Sequence, residues 1–468
     1  MAIRFGTSGW RAIIADEFTF AGVRAVTRAI CKHLRAGDAT NGGTIIVGYD
    51  TRFLGERFAA ESVKEIAAQG FRALLCNHPT PTPTISHAIR SERAVGGINF
   101  TASHNPPEYN GMKFSTADGA PALPEITRHV EQLISEIQAS PEQTQAGSGE
   151  SKSESYDPRP AYLDDLASKI RFEEIARVGG RYAFDPLWGT GRGYLDEVLR
   201  RHDVEIETIH DWRDVMFGGR APEPDSSHLD ELREVVSKNS CALGLATDGD
   251  GDRFGVIDGN GRFITPNQLI ALLFDYLAET RGWTGGVARS VATSHLVDRV
   301  AEARSLPVYE TPVGFKFIGE LINEDKIILG GEESAGMSIK GHYPEKDGIL
   351  ACLLAAEAVA ARGASLSEQL AALYERVGRL ESGRIGVRLT PELVASLPEK
   401  LKQEPTEIGG QRVERVNRMD GVKFIFADGS WLLMRPSGTE PVVRIYAESE
   451  SDQNLEELLE HGRKYILG

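Results

Sequence analysis

The segment Asp248-Gly249-Asp250-Gly251-Asp252-Arg253 constrains this chain more than any other. It places three carboxylates at every second position with only glycine between them. In an extended segment alternate side chains share a face, so the three converge on one point. Like charges held that close repel, and a hard divalent cation is the simplest group to sit among them. The glycines let the backbone bend around such an ion, and Arg253 adds a fork suited to a phosphate oxygen. An EF-hand does not fit. Such a loop needs glycine at its sixth position and glutamate at its twelfth, and counted from Asp248 those positions hold Arg253 and Gly259.

A chain of 468 residues exceeds one core, so three or four domains are expected. The formal charge of −16, from 52 basic and 68 acidic residues, argues against a nucleic-acid surface. An acidic chain can still bind anionic substrates if it concentrates Arg and Lys in a cleft. Cys31, Cys76, Cys241 and Cys352 lie far apart, which suits a reducing cytoplasm rather than a disulfide framework or zinc site. The first residues lack the apolar core of a signal peptide, and no apolar run approaches a membrane span.

Short β-type runs (Thr44 to Tyr49, Ala73 to Cys76, Val95 to Phe100) alternate with helical patterns, one of which aligns Val23, Val26, Ile30 and Leu34 on a face. The polar stretch from Ala139 to Pro160 reads as a linker. Beyond it, Thr265-Pro266 opens a helix with an apolar stripe from Leu269 to Leu277. An Ala-rich helix runs from Asp347 to Ala361. The last ninety or so residues differ. Val422 to Phe426, Asp428-Gly429 and Trp431 to Met434 read as an antiparallel hairpin, Val442 to Ala447 as a further strand, followed by a helix. The expected class is α/β: three related domains with mixed, mainly parallel sheets, then a smaller α+β domain, around a central cleft. The boundaries read as 1–155, 156–260, 261–376 and 377–468.

Three apolar runs each end in a polar, glycine-bearing loop, and ligands of open α/β sheets gather at such strand ends. The first is Thr101-Ala102-Ser103-His104-Asn105, followed by Asn110-Gly111-Met112-Lys113. Ser103 in a tight turn, with His104 and Lys113 nearby to shift its proton, suits a nucleophile. The second is the Asp run. The third, Gly331-Glu332-Glu333-Ser334-Ala335-Gly336, offers acceptors and a hydroxyl of the kind that hold sugars, or equally a helix cap. Lys346 follows it and by itself reads as a surface residue. A fourth loop, Arg435-Pro436-Ser437-Gly438-Thr439-Glu440-Pro441, with Arg444 on the next strand, suits a phosphate cradle.

In order and spacing these loops resemble the α-D-phosphohexomutases, which include phosphoglucomutase and phosphomannomutase. The resemblance runs from Gly6-Thr7-Ser8-Gly9-Trp10-Arg11 to Arg444. It implies interconversion of hexose 1-phosphate and hexose 6-phosphate through a phosphoserine and a hexose 1,6-bisphosphate, which also serves as activator. Ser103 would carry the phosphoryl group and, with Asp248, Asp250 and Asp252, hold Mg²⁺. Arg11, His104 and Lys113 would surround the serine, with Arg11 or Lys113 assisting proton transfer. Arg253, Lys316 and Lys346 would face substrate, and Glu332 and Ser334 would grip sugar hydroxyls. Arg435, Ser437, Gly438, Thr439 and Arg444 would hold the non-reacting phosphate. Gly-Glu-Glu-Ser looks like the phosphoglucomutase branch, with a phosphomannomutase or dual enzyme as the alternative. A catalytically silent sugar-phosphate binder and a phosphatase are further alternatives. Partners would be small sugar phosphates, in a monomer or small homo-oligomer. Many members carry a His-Gly pair where this chain reads Asp185-Pro186-Leu187-Trp188-Gly189, so the place of Trp188 is open.

Overall fold

Apolar alternation in the short runs and 3.6-residue stripes in the long ones produce layers of strands and helices. The computed structural model describes residues 3–6, 9–37, 43–139, 154–437 and 441–468. Most of the expected linker therefore lies outside the described residues. The chain divides into two compact units. One is Met1–Pro266, Gly319–Asp325 and Ser334–Ser367; the other is Asn267–Ile318, Lys326–Glu333 and Glu368–Gly468.

In the first unit, β1 (Trp10–Ile13), β2 (Thr44–Tyr49), β3 (Arg72–Cys76), β4 (Gly96–Phe100), β5 (Tyr109–Thr116) and β6 (Glu154–Tyr156) form one sheet in the order β1-β5-β4-β2-β3-β6. β2 runs parallel to β3 and β4, whereas β5 runs antiparallel to β4 and β1. A second sheet joins β7 (Tyr182–Asp185), β8 (Ile206–Thr208), β9 (Leu243–Thr247), β10 (Phe254–Asp258) and β11 (Phe263–Ile264) in the order β11-β10-β9-β7-β8. β4 and β9 are buried throughout, as continuous apolar runs covered on both faces must be.

The helix Phe20–Ala36 buries Val23, Val26 and Ile30 against the first sheet's core, with Leu34 packed at its margin. Its N-terminus is capped by Thr19, whose hydroxyl accepts from Gly22 N at 3.2 Å. The Ala-rich helix Gly348–Arg362 is almost wholly buried. It begins at Asp347, whose Oδ1 accepts from Leu350 N at 2.9 Å, and ends at Gly363 in the left-handed conformation. Among the described residues no single helix is long and apolar enough to cross a membrane. All four cysteines are buried free thiols.

In the second unit, β12 (Gly286–Ser290) lies parallel between β13 (Val308–Thr311) and β14 (Ile327–Glu332). The helix Pro266–Thr280 buries the expected stripe from Leu269 to Leu277. β15 (Gly336–Ile339) belongs to the first unit. The chain then builds β16 (Glu381–Arg388), β17 (Glu407–Ile408), β18 (Gln411–Asn417), β19 (Val422–Phe426), β20 (Trp431–Pro436) and β21 (Val442–Ser449). These make an antiparallel sheet in the order β16-β21-β20-β19-β18-β17, followed by the helix Asp452–Leu467. The hairpin pairs Val422 with Met434 and Ile425 with Trp431, and turns at Gly429, whose φ is 85°. β16 and β18 give no clear sequence signal, because their exposed polar faces dilute the apolar alternation.

Trp431, fully buried, anchors a small core with Val291, Ala292, Leu433 and Tyr446. An ionisable side chain is buried beside it. Lys423 is fully buried, with Nζ 3.8 Å from the Trp431 ring centroid. It donates to Val291 O at 2.8 Å and lies 2.9 Å from His295 Nε2. Burial and the nearby Arg289 push its ammonium down to about 7. The unfolded chain keeps that proton up to about pH 10.4. Between pH 7 and 10 only the unfolded state is protonated, so stability rises with pH across that window and is lost as pH falls through it. Going from pH 7 to pH 10 is expected to stabilise the wild-type protein relative to Lys423→Met by about 2–4 kcal/mol. Urea titrations of both proteins at the two pH values measure this; an unchanged gap means that the ammonium stays charged when folded.

Candidate active site

β4 and β9 each end in a loop of the first unit, and these loops carry Ser103 and the Asp run. After β4 the chain turns through Ser103 in a left-handed conformation, φ 51°. A non-glycine residue there costs about 1–2 kcal/mol, so the surroundings must hold it. Ser103 N donates to Thr101 Oγ1 at 2.8 Å, and Ser103 O accepts from Arg52 Nη2 at 2.7 Å. Both sides of the nucleophile candidate are thus pinned through the main chain.

After β9 the Asp run does not continue as a strand. It closes a turn in which Gly251 N donates to Asp248 O at 3.1 Å and Gly251 has φ 72°. The expected convergence occurs, but through this turn rather than through an extended backbone. One oxygen from each of Asp248, Asp250 and Asp252 lies within 4.8 Å of the others, and all three residues are buried. Gly249 is required here: a Cβ would sit 2.6 Å from Ser103 O, so any side chain would separate the two loops.

The hydrogen bonds join the loops directly. Ser103 Oγ donates to Asp248 Oδ2 at 2.7 Å, and His104 Nδ1 lies 3.3 Å from the same hydroxyl. Asp248 Oδ1 accepts from the main-chain N–H groups of Asp252 and Arg253, each at 3.0 Å. Lys113, on β5, donates to Asp250 Oδ2 at 2.6 Å and Asp252 Oδ2 at 2.7 Å. Lys346 Nζ lies 2.9 Å from Asp252 Oδ2. Thr82 Oγ1 donates to Asp250 Oδ2 and accepts from Asn99 Nδ2.

Burial, then the Asp250 and Asp252 charges, push the Asp248 carboxyl well above the usual range. Burial acts the same way on Asp250 and Asp252, but Lys113 outweighs it and holds both low; Lys346 also lowers Asp252. Burial works against the Lys113 ammonium, yet its two carboxylate partners raise it overall. Burial and the neighbouring Arg253 and Arg11 push the His104 imidazole well down, so it is neutral at physiological pH.

These donors suit a hard cation. Ser103, Lys113, Lys346 and Thr82 engage one oxygen per carboxylate, while Asp250 Oδ1 and Asp252 Oδ1 are buried with no hydrogen-bond partner. A buried carboxylate oxygen without a partner is costly, and an oxygen-seeking divalent ion satisfies it.

Other expected residues fall as follows. Arg11 Nη1 donates to Asn105 Oδ1 at 2.7 Å, which places it on the serine loop. Arg253 reaches Glu223 Oε1 at 3.4 Å, and its Nε is buried without a hydrogen-bond partner. Lys346 is buried rather than on the surface. Its position follows from its neighbours: Gly348 N donates to Gly251 O, and Asp347 accepts from Tyr162 OH at 2.7 Å as well as bonding His342 Nε2 at 2.8 Å. Ser334 is part-buried in the first unit.

Within the second unit, Glu332 is buried and accepts from Gly314 N at 2.7 Å, two residues before Lys316. Arg435 Nε donates to Asp420 Oδ2 at 2.8 Å, and Arg435 and Arg444 are cross-strand partners on β20 and β21. Ser437 N donates to Val442 O. Gly438 and Thr439 lie outside the described residues.

Sequence reasoning missed Asp50, Arg52, Thr82 and Glu345. Asp50-Thr51-Arg52 follows an apolar strand, the one signal that pointed to the other loops. Glu345 is buried next to Lys346, with Nζ–Oε1 at 3.5 Å. Trp188 belongs to the core: it is 6% exposed and stacks on His210 at 3.8 Å.

The comparisons with known proteins agree with this geometry. The phosphoglucomutase/phosphomannomutase family models match in succession: α/β/α domain I over residues 2–141, domain II over 160–261, domain III over 265–377 and the C-terminal domain over 387–463. A Komagataeibacter xylinus protein named "Phosphoglucomutase" is 30% identical, with 96% of this chain and 87% of that protein covered. A Methanosphaera stadtmanae "Probable phosphoglucosamine mutase" is 29% identical, covering 99% and 98%. The crystal structure of a "putative phosphomannomutase" from Thermus thermophilus is 34% identical, covers 100% of both chains and has a TM-score of 0.88. With its serine and Asp-run loops joined and all four family domains matched in order, the chain belongs to the phosphoglucomutase/phosphomannomutase family of phosphohexomutases.

Proposed function

We propose that this protein interconverts hexose 1-phosphate and hexose 6-phosphate, with glucose as the preferred sugar, through a phosphoserine at Ser103 and a hexose 1,6-bisphosphate that also acts as activator. The observation that carries the reading is the 2.7 Å hydrogen bond from Ser103 Oγ to Asp248 inside a buried cluster of three carboxylates. Mg²⁺ held by Asp248, Asp250, Asp252 and a phosphoserine oxygen would polarise the transferring phosphoryl group.

The chain's own residues do the rest. Phosphoserine gives its phosphoryl group to a sugar hydroxyl: the new O–P bond forms on the sugar, the Ser103 Oγ–P bond breaks, and the hydroxyl proton passes by way of the neutral His104 imidazole to the departing Ser103 Oγ, with the cationic Arg11 or Lys113 assisting by stabilising the developing negative charge. After the bisphosphate turns end for end, its other phosphoryl group returns to Ser103 Oγ. His104, neutral and 3.3 Å from that oxygen, is placed to help with the proton. Ser103 is 1% exposed, and exclusion of water favours transfer to sugar over hydrolysis, hence a mutase over a phosphatase. The intact serine and carboxylates favour an enzyme over a silent binder.

Glu332 and Ser334 would hold sugar hydroxyls, with Glu332 oriented by Gly314 N. Arg435, Ser437, Gly438, Thr439 and Arg444 would hold the non-reacting phosphate, and Arg253, Lys316 and Lys346 would line its path. Four domains, 1–155, 156–260, 261–376 and 377–468, are supported by the succession of family matches. A reducing cytoplasm fits four free buried thiols. Glucose is favoured by the Glu332-Glu333-Ser334 sequence and by the Komagataeibacter relative's name, mannose or both sugars by the Thermus one.

Assayed with the 1-phosphates of glucose, mannose, glucosamine and N-acetylglucosamine, each with its bisphosphate, the protein is expected to turn over glucose 1-phosphate fastest. Intact mass should show one phosphate, absent in Ser103→Ala together with nearly all turnover. A fully active Ser103→Ala removes the serine from the mechanism, and a clear preference for glucosamine phosphates overturns the glucose assignment.

Asp250→Asn removes one charge without changing size. It is expected to weaken Mg²⁺ binding, read calorimetrically on the protein without substrate, by about tenfold or more, and to lower kcat. Wild-type Mg²⁺ affinity in this variant, or full wild-type activity after exhaustive chelation, would remove the metal from the Asp cluster.

A further inference from the structure

Beneath the serine loop lies a guanidinium with no solvent exposure, that of Arg52. An arginine has five N–H donors in one rigid plane. Here every edge of that plane is used. Nε donates to Asp50 Oδ2 at 3.2 Å. Nη1 donates to Pro106 O at 2.7 Å and Tyr109 O at 3.0 Å. Nη2 donates to Ser103 O at 2.7 Å and Asn105 O at 2.5 Å. Four carbonyls, three from the serine loop and one from Tyr109 at the start of β5, therefore point at a single side chain. Without a cation among them, their dipoles would repel and the loop would splay.

The guanidinium is itself fixed. Asp50 accepts both its Nε and its main-chain N–H. The Phe217 ring covers it, with Cζ 5.0 Å from the ring centroid. From the same segment Arg213 donates to Thr51 O at 3.2 Å and Arg52 O at 3.4 Å, and pairs with Glu56.

We propose that Arg52 is the positioning residue for the phosphoryl-carrying serine: its buried guanidinium, by holding the carbonyls of Ser103, Asn105, Pro106 and Tyr109, keeps Ser103 left-handed and its Oγ aimed at the carboxylate cluster. The proposal rests on the phosphoserine reading above. It assigns Arg52 no contact with substrate. Lysine cannot replace it, because one ammonium offers three donors from a point rather than a planar fork. Arg52 acts on where Oγ sits, so its loss should slow phosphoryl transfer and leave sugar binding nearly alone.

The test compares full-length wild-type protein with Arg52→Lys in two measurements. The first is single-turnover transfer of labelled phosphate from glucose 1,6-bisphosphate to Ser103 with Mg²⁺, on proteins first dephosphorylated and checked by intact mass, together with steady-state kcat and KM. The second is amide hydrogen exchange across residues 103–109 without ligand. A folded Arg52→Lys is expected to label Ser103 about 100-fold more slowly, with KM within about threefold of wild type. Its loop amides should exchange at least about tenfold faster than in the wild type. Wild-type labelling and exchange in the folded variant overturn the proposal. If Arg52→Lys does not fold, Arg213→Gln decides. Its half-exposed side chain braces Arg52 from outside, and the variant is expected to slow labelling by about three- to tenfold with faster loop exchange; wild-type values there overturn the proposal. A wild-type protein that takes no label on Ser103 marks failure of the phosphoserine reading itself, whereas labelled wild type with an unaffected variant marks failure of the Arg52 assignment alone.

Discussion

Three carboxylates drawn within 4.8 Å of one another and buried set the terms for the first unit. Left alone, they would repel and either protonate or separate. The unit instead brings cations to them from elements far apart in sequence. Lys113 comes from β5, Lys346 from the turn after β15, and Arg253 directly follows the run. Asp248 takes main-chain N–H groups and the Ser103 hydroxyl instead of an ammonium, which is why its carboxyl is the one pushed upward. The cluster is thus a packing constraint as well as the candidate chemical centre, because each counter-charge fixes the loop that carries it.

Close approach is the second requirement, and it explains the glycines. Gly249 lets the Asp loop touch the serine loop, and Gly251 supplies the left-handed turn that folds three alternate side chains to one point. An extended segment would also align them, and spacing alone predicts that form. Spacing cannot distinguish the two, since both put every second side chain on one side. Gly251 alone carries the hint, because glycine is the residue that takes a positive φ without strain.

Much of the fold was legible wherever the signal was local. Strands of β-branched residues, the Asp428-Gly429 hairpin, the helix that starts at Pro266 and the one capped by Asp347 depend on neighbours a few residues apart. β16 and β18 were not legible, because one polar face hides the alternation. In the site, Ser103 and the Asp run could be read because unusual residues cluster. Arg52 could not: apart from Asp50, the partners that tie it to the serine loop lie more than fifty residues away and are carbonyl oxygens, which every residue has. Lys346 reads as a surface lysine for the same reason. Only the fold shows that Asp347, anchored by Tyr162 and His342, turns it toward Asp252.

The same distinction separates reaction from substrate. Phosphoryl transfer needs charges, a nucleophile and their alignment, and these leave marks in the sequence that any member of the family must show. The choice between glucose and mannose rests on the direction of the C2 hydroxyl, and glucosamine differs from glucose only by an amine there; such small differences are worth about 1–3 kcal/mol when they are read by hydrophobic contacts. Glu332, proposed above to hold sugar hydroxyls, illustrates how little of that is written in residue identity. One of its oxygens is already oriented by Gly314 N, so what it offers a sugar depends on the backbone of the 313–316 turn as much as on the carboxylate. Relatives named for glucose, mannose and glucosamine phosphates lie between 29% and 34% identity to this chain. That spread is what a shared reaction centre and separately tuned sugar contacts would produce; under the function proposed above, the turns around Glu332 are where such tuning would act.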